Sequence, residues 1–269
     1  IKPKIVIAKN VKNILSEKEL KEMSPSSLIE CIAQLPTYEH RVLYYGPMSM
    51  EEVSSIVAEL HKVPATLKTV EKNKTFQYQR ADENIVYIAP YDANQIYMSA
   101  VSNQGEQYSL EKTPIITLYN EYFGGGMNSI VFQEMREKRS LAYQASSRYI
   151  MGSNKTDKNY NLAHIATQND KVVEAFDAFN SLLDYMPVAE NNFDLAKQSI
   201  LKSIATNRTT KQGIISSYLN DKEYGRKENT QKQMYEQLQK MTFEDIKAFS
   251  EKNQKKKKRV YVILGSKDQ

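Results

Sequence analysis

At 269 residues, with 41% apolar and 26% charged side chains, the chain has the size and balance of one large globular domain, or one domain with part of another. Its longest apolar runs, such as Val260 to Leu264, are far too short to cross a bilayer as a helix, so no membrane partner is expected. The net charge of +5 is carried by the five residues Lys255 to Arg259, and without them it is 5 − 5 = 0. That run lacks the interleaved aromatics that grip single-stranded nucleic acid. It reads as a solvated turn, and nucleic acid is not expected as a partner.

The absence of an initiator Met and of any charged-then-apolar leader places the expected start inside a longer or processed protein. The single cysteine, Cys31, excludes an internal disulfide without fixing a compartment. Between Ile29 and Ile32 on an expected helix, it reads as a buried small hydrophobe.

Taken in order, the chain first shows half of a repeat. Met23-Ser24-Pro25-Ser26-Ser27-Leu28 aligns with Met241-Thr242-Phe243-Glu244-Asp245-Ile246, and Arg41 to Gly46 aligns with Arg259 to Gly265. Each copy reads as a capped helix feeding a strand that stops at glycine. Ser24 is a natural N-cap with Pro25 at the first helical position, and Thr242 with Asp245 makes a capping box. Residues 1–63 are therefore expected to be the helix-strand-helix tail of a preceding, homologous domain. Residues 64–75 read as a linker and 76–269 as a complete domain.

A helix is expected from Met50 to His61, ended by Val63-Pro64. Strands follow at Ile85–Ala89 and Ile96–Val101. Thr113 is expected to cap a helix with Pro114 at its first position, whose Ile115, Leu118, Tyr119 and Tyr122 share one face. Gly124-Gly125-Gly126 stops it, read as a helix end in the left-handed conformation. A phosphate loop is excluded there, because a helix precedes the glycines and Met127-Asn128-Ser129 follows them. Asn128 or Ser129 caps the next helix, with Ile130, Val131 and Met135 inward.

Leu141 to Met151 alternates as a strand, with Leu141, Tyr143, Ala145, Ser147 and Tyr149 on one face. A further strand runs from Asn159 to Thr167, with His164 a structural imidazole. Helices from Asp170, from Asn192 and over 214–219 and 232–238 lead to the closing helix-strand unit. The expected fold is α+β: a mostly antiparallel sheet with helices packed on one face.

His40, His61 and His164 stand far apart, no H-x-x-E-H pattern or its reverse occurs, and no nucleophile elbow is present. The chain reads as catalytically incomplete by itself. Arg136 and Tyr143, at the close of one helix and the start of a strand, are the candidate functional groups.

The stretch E-Y-F-G-G-G-M-N-S-I-V-F-Q-E-M-R-E-K-R-S-L-A-Y, ending at Tyr143, resembles the pitrilysin, insulysin and mitochondrial processing peptidase family of zinc metallopeptidases. In that family a glycine-broken helix pair ends in an Arg, six intervening residues and a Tyr, the spacing of Arg136 to Tyr143. The likeness extends through the paired helices at 170–206 to the close at 241–265. It implies tandem homologous domains that shut like a clamshell on peptides. It implies no metal ligands in this chain, with zinc in an N-terminal half of the same protein or in a partner subunit. Tyr143 would donate to the oxygen that becomes negative on hydrolysis, and Arg136 would hold the peptide main chain. Arg139 and Arg148 are the neighbouring arginines that could stand in its place. The alternative is a non-catalytic structural or peptide-binding subunit of the same fold.

Overall fold

The computed structural model describes residues 15–70, 80–103, 105–152, 156–226 and 230–266. The start of the expected tail, residues 1–14, and the end of the expected linker, residues 71–75, lie outside these. The chain divides into two compact units, Ile1–Phe76 with Thr209–Tyr218, and Gln77–Arg208 with Leu219–Gln269.

The first unit is built on well-capped helices. Ser16 and Glu19 cap α1, Glu17–Glu22, reciprocally. The Ser24 hydroxyl accepts from the Ser27 amide at 3.2 Å to start α2, Pro25–Gln34, as its sequence predicts. A second reciprocal box, Ser49 with Glu52, starts α3, Met50–Leu60. The strand expected at Arg41–Gly46 is not formed. A strand needs a ladder partner, and among the described residues the pairing here is the single bridge Tyr38↔Lys68. Cys31 is exposed, contrary to expectation. Its helix carries no buried residue, with Leu28, Ile29 and Ile32 50%, 66% and 65% exposed, because nothing described in this unit covers its apolar face.

The second unit holds a five-stranded sheet in the order β1-β5-β2-β4-β3. Its strands are β1 Ile85–Pro90, β2 Ile96–Ser102, β3 Gln144–Ile150, β4 Tyr160–Thr167 and β5 Val260–Gly265. The pairs β2–β4, β2–β5 and β3–β4 are antiparallel as expected, whereas β1–β5 is parallel. The chain reverses between β1 and β2, and β5 inserts between them antiparallel to β2, so it runs parallel to β1. The sheet is thus mixed, in an α+β fold.

One face of the sheet carries Met98, Ala100, Ser147, Tyr149, Ala163, Ile165 and Tyr261, all buried. Against it pack α4, Thr113–Phe123, and α5, a short turn Ile130–Phe132 that runs straight into a π-helical stretch, Gln133–Lys138. The unit's further helices are α6 Val172–Asp184, α7 Glu190–Thr206, α9 Thr230–Lys240 and α10 Phe243–Asn253, while α8, Lys211–Tyr224, begins in the first unit and ends in the second. Tyr119, Tyr122 and Phe123 of α4 are fully buried, and ring contacts run from Tyr119 and Tyr122 to Phe193, Phe243 and Phe249. Aromatic burial on this scale dominates the core energetically. The Thr242–Asp245 capping box that opens α10 is present as read from sequence. His164 meets the Ser99 hydroxyl at 3.2 Å and stacks on Tyr97, and burial lowers its pKa, as suits a structural ring.

Two local expectations are corrected. Thr113 does not cap α4: a 3₁₀ turn, Leu110–Lys112, leads into the helix, and Thr113 is its first helical residue. Gly124 ends α4 with φ −147° and ψ 9°, outside the left-handed region. Its requirement is steric, because a Cβ there would collide with the backbone carbonyl and amide of Ser147 in β3. The glycine lets helix and strand approach. Gly124→Ala is therefore expected to cost about 1–3 kcal/mol in urea unfolding. Gly126→Ala, where a Cβ meets nothing within 4 Å, should be close to neutral. Equal midpoints for the two variants would contradict this close-approach explanation.

Candidate functional site

The candidate site sits where α5 turns into β3. The π-helical stretch ends in a wrapped turn: the Leu141 and Ala142 amides donate to the Met135 carbonyl at 2.8 and 3.2 Å, and the Ser140 amide donates to the Arg136 carbonyl at 3.1 Å. Ser140 has φ 51°, a left-handed conformation that a serine adopts at a cost and only where its surroundings impose it. Here the restraint is visible. Lys171 Nζ donates to the Ser140 carbonyl at 3.0 Å, and the Thr167 hydroxyl donates to the Leu141 carbonyl at 2.5 Å. Buried Leu141 and Ala142 plug the turn into the core.

The wrapped turn takes Tyr143 off the face that alternation alone assigns it, while Ala145, Ser147 and Tyr149 keep theirs. The strand begins at Gln144, with Tyr143 in a bend before it, and the inward residues are Ala145, Ser147 and Tyr149. Tyr143 is 62% exposed instead of sharing the buried face of Leu141. Its amide remains tied to the Ala166 carbonyl at 3.0 Å, so the backbone is fixed while the ring projects outward.

This turn brings the two candidate residues together. The Arg136 guanidinium lies between two rings, 4.9 Å from the Tyr143 centroid and 5.0 Å from that of Phe132. Its Nε is 3.5 Å from the Glu137 carboxylate, and its side chain is 41% exposed. The guanidinium is thus oriented by its faces, which leaves N–H edges available to a ligand. Arg136 and Tyr143 line a cleft of about 590 Å³ together with Gln95, Gln168 and Lys171. Two cations against the single carboxylate of Glu137 favour an electron-rich guest such as a peptide carbonyl or carboxylate.

The other two arginines do different things. Arg139 reaches Glu134 at 3.5 Å. Arg148, exposed on β3, lines a separate cavity of about 490 Å³ with Tyr108, Asn120 and Tyr224. Among the described residues no group of three or more His, Cys, Asp or Glu converges in a way that could hold a metal ion. These side chains do not fit a catalytic zinc, and the tasks open to Arg136 and Tyr143 are those of hydrogen-bond donors.

Residues 25–200 match the family model of the peptidase M16 inactive domain. The chain belongs to the M16 peptidase family. Its fold also recurs in solved structures. The peptidase M16 inactive domain from Pseudomonas fluorescens superposes with a TM-score of 0.62 at 20% identity, covering 81% of this chain and 51% of that one. A conserved protein from Enterococcus faecalis V583 superposes at 0.63 and 15% identity, with 94% and 58% covered. A mutant of the ferredoxin protease FusC in complex with Arabidopsis ferredoxin gives 0.60 at 14% identity, with 93% and 27% covered. The chain thus spans about half the length of the first two. No curated protein matches it by sequence.

Sequence reasoning missed the structural use of the basic run before β5. Arg259 is 3% exposed; its guanidinium donates to Asp184 and to the Gln254 carbonyl, both at 2.8 Å. The Lys256 amide donates to the same Asp184 oxygen at 3.1 Å. The end of the supposed solvated turn is a buried ion pair that ties β5 to α6. A small signal was available, since the aligned first copy also carries an arginine, Arg41, at this position.

Proposed function

We propose that this chain is the non-zinc part of an M16 metalloendopeptidase. Its second unit closes the substrate chamber and presents Arg136 and Tyr143 to a peptide held at a zinc site in an N-terminal half or a partner subunit. Residues 1–63 belong to the tail of a homologous domain, and 76–269 form the non-zinc domain itself. One observation carries the reading: the Arg136 guanidinium is held against the exposed Tyr143 ring at the mouth of a cationic cleft. The family model supports it by matching across that site. The protease FusC, a structural neighbour, was solved in complex with a protein, ferredoxin.

Each side chain has a defined task. Arg136 donates N–H groups to main-chain carbonyls of the bound peptide and fixes its register. Tyr143 donates its hydroxyl to the amide oxygen as that oxygen gains charge. Zinc belongs to the companion half.

The test is reconstitution. Mixed with the zinc-bearing half, this chain should produce chelator-sensitive cleavage of a quenched peptide, while neither partner alone does so. Association without cleavage would instead favour the structural or peptide-binding subunit.

A further inference from the structure

His40 and His61, twenty-one positions apart, meet in the first unit. Their Nε2 atoms are 2.7 Å apart, with ring centroids at 4.9 Å and ring planes perpendicular. His40 Nδ1 lies 2.5 Å from the Tyr38 carbonyl, which can only accept, so Nδ1 carries the proton. With that proton on Nδ1, the neutral form of the ring points the lone pair of Nε2 at His61. This is the arrangement that orients metal-binding histidines, in which a backbone carbonyl holds the far nitrogen and fixes the tautomer.

The support is itself built. Tyr38 pairs with Lys68 in the bridge, the Glu39 amide donates to the Lys68 carbonyl at 2.9 Å, and the Lys68 amide donates to the Thr37 carbonyl at 2.8 Å. His61 is the C-cap of α3, with its amide on the Val57 carbonyl at 2.9 Å. The carbonyl end of a helix favours positive charge, and Lys62 Nζ already takes the Ala58 carbonyl there at 2.9 Å. In the bare pair one nitrogen must donate, a contact for which water competes. A divalent cation would satisfy both lone pairs and sit at the favoured end of the helix.

We propose that His40 and His61 form a two-imidazole site for a late first-row divalent cation such as Zn²⁺. The bound ion clips the segment Tyr38 to His40 to the C-terminal end of α3. On binding, His61 moves its Nε2 proton to Nδ1 through solvent, so both Nε2 atoms become ligands without net proton loss. Zinc–nitrogen bonds of about 2.0–2.1 Å at tetrahedral angles place two nitrogens about 3.3 Å apart. Opening the pair by about 0.6 Å, within reach of small side-chain rotations, accommodates the ion. No third His, Cys, Asp or Glu completes a cluster among the described residues, so water fills the remaining positions. This site is unrelated to the catalytic zinc of a companion half and stands independently of the proposed function.

The experiment titrates the full untagged chain with ZnCl₂, following equilibrium dialysis and imidazole nitrogen signals by NMR. One ion per chain should bind, and the Nε2 signals of His40 and His61 should shift together. His40→Gln and His61→Gln should each weaken binding by about 10- to 100-fold or more, and His164→Gln should leave it unchanged. The ring signals of the unaltered protein decide the matter even if a variant misfolds. Unshifted His40 and His61 signals at saturating Zn²⁺, or full binding by either variant, would overturn the proposal.

Discussion

In the reconstituted peptidase, Tyr143→Phe is expected to lower kcat for peptide cleavage about 100- to 1,000-fold while leaving the fold intact. One hydrogen-bond donor aimed at a developing oxyanion is worth about 3–4 kcal/mol in a water-excluded site. The substitution removes that donor and nothing else: the ring still lies under Arg136, and the backbone tie to Ala166 is unaffected. Because Tyr143 is mostly exposed, its hydroxyl adds little to stability, so the melting temperature should barely move. KM should change much less than kcat, since the interaction strengthens only as charge develops. Arg136→Lys separates the second role. It keeps the charge but gives up the planar face held between Phe132 and Tyr143, and it should raise KM as well. Arg139→Lys, on a residue engaged with Glu134, should be near-silent. Steady-state kinetics on the three variants provide the check.

The second large effect is on stability. Asp184→Ala is expected to destabilise the second unit by about 3 kcal/mol, because it leaves the buried Arg259 guanidinium without its counter-charge. The Asp184 side chain is 25% exposed, which keeps the effect at the lower end of the range for buried pairs. In a unit of this size the melting temperature should fall by on the order of 10 °C. Adding Arg259→Met should recover part of the loss, since an apolar replacement removes the stranded charge. Thermal unfolding of the single and double variants measures both. An unchanged melting temperature for Asp184→Ala would mean that solvent, not Asp184, neutralises Arg259.

Much of the second unit was legible because helix signals are local. Heptad-like apolar spacing placed α6 and α7, and the Thr242–Asp245 capping box placed α10, close to where they lie. The parallel pairing of β1 with β5 was not legible, because it depends on which edge a distant strand joins. The missing strand at Arg41–Gly46 shows the same limit: its sequence suits a strand, but a strand exists only with a partner. At the site, the spacing of Arg136 and Tyr143 was readable, while their contact was not. That contact depends on a π-helical ending and on Ser140 at positive φ, which no alternation pattern announces.

Glu106 shows another kind of silence. It lies in an unremarkable polar stretch, yet it receives Lys112 at 3.1 Å, Lys252 at 3.0 Å and the Tyr149 hydroxyl at 3.1 Å. Burial pushes its pKa up, but these donors outweigh it and hold the carboxyl below its ordinary value. Partners drawn from an α-helix, a strand and a 3₁₀ turn cannot be inferred from local sequence.

The most direct test of the site asks where a bound peptide lies. A photoreactive benzoylphenylalanine replaces Gln95, which lines the Arg136–Tyr143 cleft, or Asn220, which lines the separate cavity. Each version is reconstituted with the zinc-bearing half and irradiated with a non-cleavable peptide. Crosslinking from position 95 and none from position 220 is the predicted result. Crosslinking from position 220 with none from 95 would contradict the assignment of Arg136 and Tyr143 to the substrate.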